Sequence, residues 1–89
     1  MPTISMFFGI IIIRMYYAPK EHNPPNIHTY YQDVRATFGI ENAEMLEGKM
    51  PTRQKKIIMA WIEIHKDELL ANWQLYQNGE KPFKIAPLK

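Results

Sequence analysis

The stretch Ile27-His28-Thr29-Tyr30-Tyr31-Gln32-Asp33-Val34-Arg35-Ala36-Thr37-Phe38-Gly39-Ile40 decides the fold, because two alternating runs meet at a polar pair. In the second run Val34, Ala36, Phe38 and Ile40 fall on one side of an extended chain, and Arg35 and Thr37 fall on the other. A period of two predicts a half-buried strand over residues 34–40. In the first run, residues 27–32, Ile27, Thr29 and Tyr31 share one face while His28 and Tyr30 share the other. A tight connection around Gln32-Asp33 joins the two as a hairpin, and with Ile27 toward the core, His28 and Tyr30 face away from it.

Upstream, residues 4–17 are β-branched or aromatic on both alternating faces, with Met6, Phe8, Ile10 and Ile12 on one and Phe7, Ile11 and Ile13 on the other. A strand apolar on both sides is expected to be central, with Gly9 marking a bulge or a close backbone approach. The apolar run at residues 6–13 is too short to span a membrane. It lacks a preceding basic residue and an A-x-A-like cleavage site, so neither a span nor a signal peptide is expected. The connector at residues 18–26 contains Pro19, Pro24 and Pro25, which fix φ and remove N–H donors, and so reads as a stiff arm flanked by His22 and His28.

Downstream, a short fourth strand is expected over residues 43–47, closed by a turn at Gly48. From Pro51 or Thr52 the spacing changes to three and four, through Ile58, Trp61, His65, Leu69, Trp73 and Tyr76, which is the stripe of an amphipathic helix ending at Asn78-Gly79. Unbroken, that helix would be roughly 40 Å long, more than the ~30 Å breadth of a small domain. A kink or break near His65-Lys66-Asp67 is therefore expected, with Asp67 capping the helix beyond the break. The tail, residues 80–89, is expected to pack back as an extended strip. The fold predicted is α+β: a three- or four-stranded antiparallel sheet with one kinked long helix, or two consecutive helices, packed on one face. One domain covers residues 1–89, with strands mainly in 1–50, helix in 51–79 and the extended tail after it.

Composition narrows the chemistry. An 89-residue chain buries only about two-thirds of its unfolded surface. Without cysteine it has no disulfide framework, Cys-type zinc site or thiol nucleophile, and a reducing cytoplasm is the expected compartment. A formal charge of +2 permits an acidic partner but falls short of a nucleic-acid-binding signature. There is no Gly-rich phosphate loop, no G-x-S-x-G elbow and no zinc-knuckle spacing.

The candidate site is the arm Glu21-His22-Asn23-Pro24-Pro25-Asn26-Ile27-His28. His22 and His28 are candidate general acid and base, because imidazole titrates near neutrality. Glu21 or His65 would be the third ligand if the pair held a metal. The plainer alternative is a pair of turn-bracing histidines bonded to nearby carbonyls. Arg53, Lys55 and Lys56 gather at the helix start, where cations oppose the macrodipole. With Glu21, Asn26 and Tyr30 they form the candidate partner-binding set, against the alternative of a solvated charged face. His65 reads as a core-edge histidine with one bonded nitrogen, and Trp61 and Trp73 as core packing.

The segments Phe8-Gly9-Ile10, Arg14-Met15-Tyr16, residues 21–28, Leu46-Glu47-Gly48, Trp61, His65, Asn72-Trp73 and Ile85-Ala86-Pro87-Leu88 resemble the small bacterial family known as domain of unknown function 4160. The resemblance covers essentially the whole chain. It implies a compact bacterial protein, often encoded beside a second small protein in what looks like a toxin–antitoxin-type pair. The family's arm typically reads H-x-P-P-H-x-H, whereas Asn26 stands here in place of the middle histidine. Two imidazoles and an amide make a poorer metal site than three imidazoles, so no metal and no cofactor is expected.

The expected function is a component of such a two-gene module that binds a partner protein or nucleic acid. The alternative is a minimal histidine-dependent hydrolase of RNA phosphodiesters, with Arg53 or Lys55 steadying the phosphate. No membrane partner is expected, and an exposed outer strand permits a homodimer.

Overall fold

The hairpin at the centre of the sequence is also the centre of the sheet. The computed structural model describes residues 3–14 and 24–88, with the backbone alone for residues 11–14. Strand β3 (Asn26–Tyr31) and strand β4 (Val34–Gly39) pair antiparallel, with Ile27 opposite Phe38, His28 opposite Thr37 and Tyr30 opposite Arg35. The turn between them is Gln32-Asp33, with Gln32 at φ +50°. Around this hairpin lie β1 (Ser5–Phe7), β2 (Ile10–Arg14) and β5 (Met45–Gly48), in the spatial order β1-β2-β3-β4-β5, all antiparallel. Every strand therefore neighbours its sequence neighbours, the topology that short connections favour.

The α+β class with two consecutive helices stands, but the sheet has five strands, because the first apolar stretch is not one strand. It turns back on itself at Phe8 (φ +48°) and Gly9 (φ +74°). A two-residue hairpin loop whose central residues both have positive φ matches the right-handed twist of its strands. Gly9 thus belongs to a turn, not to a bulge. The reversal also breaks the expected alternation, since Phe7 and Ile10 pair and both face the core. Met6 and Phe8 are left 60% and 58% exposed. Residues 15–17 of the expected strand lie outside the described residues.

The last strand starts later than expected and includes Gly48 as its final residue. Phe38 pairs with Met45 but Thr37 pairs with Glu47, so Leu46 is an extra residue bulged out of the ladder. Gly48 sits at φ +95°, where a Cβ would lie 2.4 Å from the Arg35 carbonyl oxygen. Only glycine lets β5 approach β4 this closely.

The helical segment breaks at His65 into α1 (Thr52–Ile64) and α2 (Lys66–Gln77). His65 has φ −109° and ψ 21°, off helical geometry, yet its N–H still donates to the Trp61 carbonyl at 3.0 Å and its own carbonyl accepts from Leu69 N–H at 2.9 Å. The capping position is His65 and not Asp67. Asp67 sits in the first turn with Glu68, where carboxylates complement the helix dipole. His65 Nδ1 lies 2.6 Å from Glu68 Oε1, so the side chain of the break residue is tied to the turn it begins.

One core forms between the helices and one face of the sheet. Ile27, Ala36 and Phe38 from the sheet meet Ile58, Trp61, Ile62 and Leu69 from the helices. The Phe7 and Trp61 rings are centred 5.5 Å apart. Each of the isoleucine, leucine and phenylalanine side chains among them stabilises by about 1.5–3 kcal/mol on burial. The tail packs back as expected and is fastened by polar contacts. Trp61 Nε1 donates to the Ala86 carbonyl at 2.9 Å, and Ile85 N–H donates to the Ile4 carbonyl at 2.8 Å. Both helices and the tail pack on the face carrying Ile27 and Phe38, and among the described residues no helix or tail segment packs on the opposite face of the sheet.

Candidate functional site

The outer face of the sheet carries the candidate site. The pleat that buries Ile27 and Thr29 turns His28 and Tyr30 outward, and on β4 it turns Arg35 and Thr37 outward between buried Ala36 and Phe38. Antiparallel pairing sets these in rows: His28 beside Thr37 beside Glu47, and Tyr30 beside Arg35. Together with Ala36 and Gly48 they line a groove of about 390 Å³, within the roughly 300–1,000 Å³ range of ligand pockets.

The bulge at Leu46 is what brings Glu47 there. With uninterrupted pairing, Leu46 would stand opposite Thr37, and Glu47 would stand opposite Ala36 on the core side. The extra residue shifts the parity by one and turns the carboxylate outward. Gly48, with no side chain, keeps that end of the groove open. His28 Nδ1 lies 3.2 Å from Thr37 Oγ1, a contact that orients the half-buried ring. The groove therefore combines an imidazole, a phenol, a guanidinium and a carboxylate on a backbone held from behind by the core.

The residues singled out in the sequence divide three ways. His28 and Tyr30 line the groove. Asn26 lies on the same strand, and its Nδ2 donates to the Pro24 carbonyl at 2.8 Å, so its amide braces the end of the arm. The Ile40 N–H donates to the Pro25 carbonyl at 2.9 Å, which fastens the arm to the end of β4. His22 and Glu21 lie outside the described residues. Arg53, Lys55 and Lys56 stand in the first turns of α1, in the helical layer behind the sheet, and none of them lines the groove.

That first turn of α1 contains no acidic residue and no side-chain cap. The sequence pattern had marked Arg35 and Thr37 only as outward-facing. Counting back from the Gln32-Asp33 turn would have paired Arg35 with Tyr30. Glu47 had no such signal, since its facing depends on the bulge. His65 is placed on the Trp61 stripe, with ring centroids 5.3 Å apart, and its Nδ1 is engaged by Glu68.

Among the described residues no three His, Asp or Glu side chains converge as a metal site. Among them, too, no helix is long and apolar enough to cross a membrane.

Comparison with known proteins adds one finding. No curated protein and no solved structure matches the chain. The profile of the family described as domain of unknown function (DUF4160) matches residues 10–74, from β2 through most of α2. That span includes both strands of the central hairpin, the groove and the helical break, and the chain belongs to the DUF4160 family.

Proposed function

We propose that this protein is the interaction component of a bacterial, toxin–antitoxin-like two-gene module, and that it binds a partner protein or nucleic acid through the outer face of its sheet. The groove between His28, Tyr30, Arg35 and Glu47 carries this reading. It stands on the face of the sheet opposite the helices and the tail, so a partner reaches it without unpacking the core. A rigid sheet presenting a few polar and aromatic side chains is suited to recognition, because little ordering entropy is lost on binding. Pairing of two copies along the β5 edge is compatible with it, since Leu46, Glu47 and Gly48 are all exposed.

The test is co-purification with the product of the neighbouring gene and with cellular nucleic acid, for the wild type and two variants. His28→Ala/Tyr30→Ala is expected to release the partner with the fold intact by circular dichroism. Arg53→Ala/Lys55→Ala/Lys56→Ala, on the helical layer, is expected to retain it. Full retention in the His28/Tyr30 variant overturns the reading.

A hydrolase reading is favoured by one observation, the contact that orients His28 in a groove with Arg35. In that scheme one imidazole, His28 or His22, takes the proton of a ribose 2′-hydroxyl as the oxygen attacks phosphorus. The other protonates the departing 5′-oxygen, leaving a cyclic phosphate and a 5′-hydroxyl. In this scheme Arg35, which lines the groove as Arg53 and Lys55 do not, steadies the phosphate. Loss of RNA cleavage in His28→Ala with partner binding intact supports this scheme, and no cleavage by the wild type, with or without divalent metal, removes it.

A further inference from the structure

We infer that the groove is the seat of one unpaired nucleotide of a single-stranded nucleic acid, with Tyr30 stacking on the base, Arg35 facing a phosphate and Glu47 accepting from an amino group on the base edge. The inference rests on the outer face being the contact surface, and adds the class of partner and the role of each side chain.

The register supplies the spacing. Directly opposed side chains on neighbouring antiparallel strands stand about 4.5–5.5 Å apart, and alternate residues on one strand about 6.5–7 Å apart. The row His28–Thr37–Glu47 and the adjacent row Tyr30–Arg35 therefore place ring, guanidinium and carboxylate within a patch about 10 Å across. That is the scale of a single nucleotide. Lys49 follows Gly48 on this edge, its N–H donating to the Arg35 carbonyl at 2.9 Å, and is exposed.

Two comparisons select a single strand. A protein partner is best anchored by apolar and aromatic side chains at the centre of an interface. The exposed apolar residues Met6 and Leu46 do not line this groove, and among the described residues its side chains are polar apart from Ala36. A duplex is held mainly by phosphate contacts, typically about 6–10 of them for a strong binder. A formal charge of +2, with Arg35 as the cation lining the groove among the described residues, is too little for that mode. Single strands need fewer cations, because stacking on one aromatic ring supplies roughly 5- to 150-fold in affinity per base. A carboxylate beside the stacking ring would repel a phosphate. It is suited instead to accept from the exocyclic amino group of cytosine, which uracil lacks.

The experiment is fluorescence anisotropy at low salt with end-labelled strands of about 12 nucleotides, within the site sizes of sheet-based binders. The probes are oligo(C) and oligo(U) RNA, oligo(dC), and a mixed-sequence duplex of the same length. Oligo(C) is expected to bind several-fold more tightly than oligo(U), and either more tightly than the duplex. Tyr30→Ala is expected to weaken oligo(C) about tenfold while Tyr30→Phe keeps it. Arg35→Ala is expected to weaken every strand and to lower the salt slope by about 1. Glu47→Gln is expected to remove the preference for C over U. A preference for oligo(C) over oligo(dC) assigns the site to RNA, and equal binding assigns it to either backbone.

The inference is overturned if no strand binds at high micromolar protein, if the duplex binds best, or if both Tyr30→Ala and Arg35→Ala, folded by circular dichroism, bind as the wild type does. Should the strands fail while the His28/Tyr30 double variant still loses its partner protein, the single-strand inference falls and the contact face survives. Should both fail, the face itself is wrong.

Discussion

Asn72 holds Phe83 by both of its main-chain polar groups: Asn72 Nδ2 donates to the Phe83 carbonyl at 2.7 Å, and the Phe83 N–H donates to Asn72 Oδ1 at 2.9 Å. The Asn72 side chain is fully buried, so this pair replaces water on both sides of the amide. With the Trp61–Ala86 bond, it attaches the tail to both helices.

Asn72→Ala removes both bonds and leaves main-chain groups at Phe83 without their partner. The expected cost is about 2–4 kcal/mol, from two hydrogen bonds of roughly 1 kcal/mol each and the desolvation of the groups left unpaired. Native stabilities lie near 5–15 kcal/mol, so this is a large fraction for so small a chain. A urea melt measures the loss, and hydrogen exchange at Phe83 and Ile85 should accelerate more than at Phe38. Unchanged exchange in the tail would show that apolar packing of Ile85 and Leu88 suffices.

Gly48→Ala tests the close approach of β5 to β4. The new methyl would meet the Arg35 carbonyl oxygen at 2.4 Å and Ala36 Cα at 2.7 Å, both backbone atoms that cannot swing away, at a φ of +95°. A destabilisation above about 2 kcal/mol is expected, the sum of backbone strain and a displaced strand. The groove should be lost with it, so partner binding should fall even where the variant remains folded.

Phe8→Asn is expected to stabilise. Phe8 adopts φ +48° in a turn that favours Asn-Gly, and a left-handed conformation costs a residue of this kind about 1–2 kcal/mol. Against this stands the loss of its edge-on contact with Phe7, centroids 6.2 Å apart, worth about 0.5–1.5 kcal/mol when buried and less for a ring that is 58% exposed. The balance is a gain of about 0.5 kcal/mol, read as a higher thermal midpoint. A fall in the midpoint would mean that the aromatic contact outweighs the strain.

Nearby positions on β4 should behave oppositely. Phe38→Ala empties a fully buried site and is expected to cost about 3–5 kcal/mol. Arg35→Ala, three residues earlier and exposed, should stay within about 0.5 kcal/mol of the wild type. Thr29→Val lies between them at about 1 kcal/mol, since the buried Oγ1 donates to the Ala36 carbonyl at 2.9 Å. Equal effects at Phe38 and Arg35 in denaturant melts would contradict the assignment of faces.

Much of the candidate site was legible in the sequence because its side chains obey a local rule. The alternation in residues 27–40 assigned His28, Tyr30, Arg35 and Thr37 to the outer face, and the sheet keeps all four there. The basic cluster Arg53, Lys55 and Lys56 was grouped with Glu21, Asn26 and Tyr30 on charge, but charge has no direction, and the cluster belongs to the helical layer. Asp67 offered a cap by residue type, while His65 took the position because the chain leaves helical geometry two residues earlier.

By itself the sequence determined where the chain is extended and where it is helical. The periods of two in residues 27–40 and of three to four after residue 51 are properties of neighbours along the chain, and burying an apolar stripe leaves few choices. The tertiary structure decided whether residues 5–14 form one strand or two, and which way Glu47 faces. The first depends on two positive φ angles at Phe8-Gly9, one of them in a residue whose type argues against it. The second depends on a single extra residue, Leu46, in a ladder whose register is set by packing against a strand already in place. Both are matters of pairing between strands, for which a local pattern provides no measure.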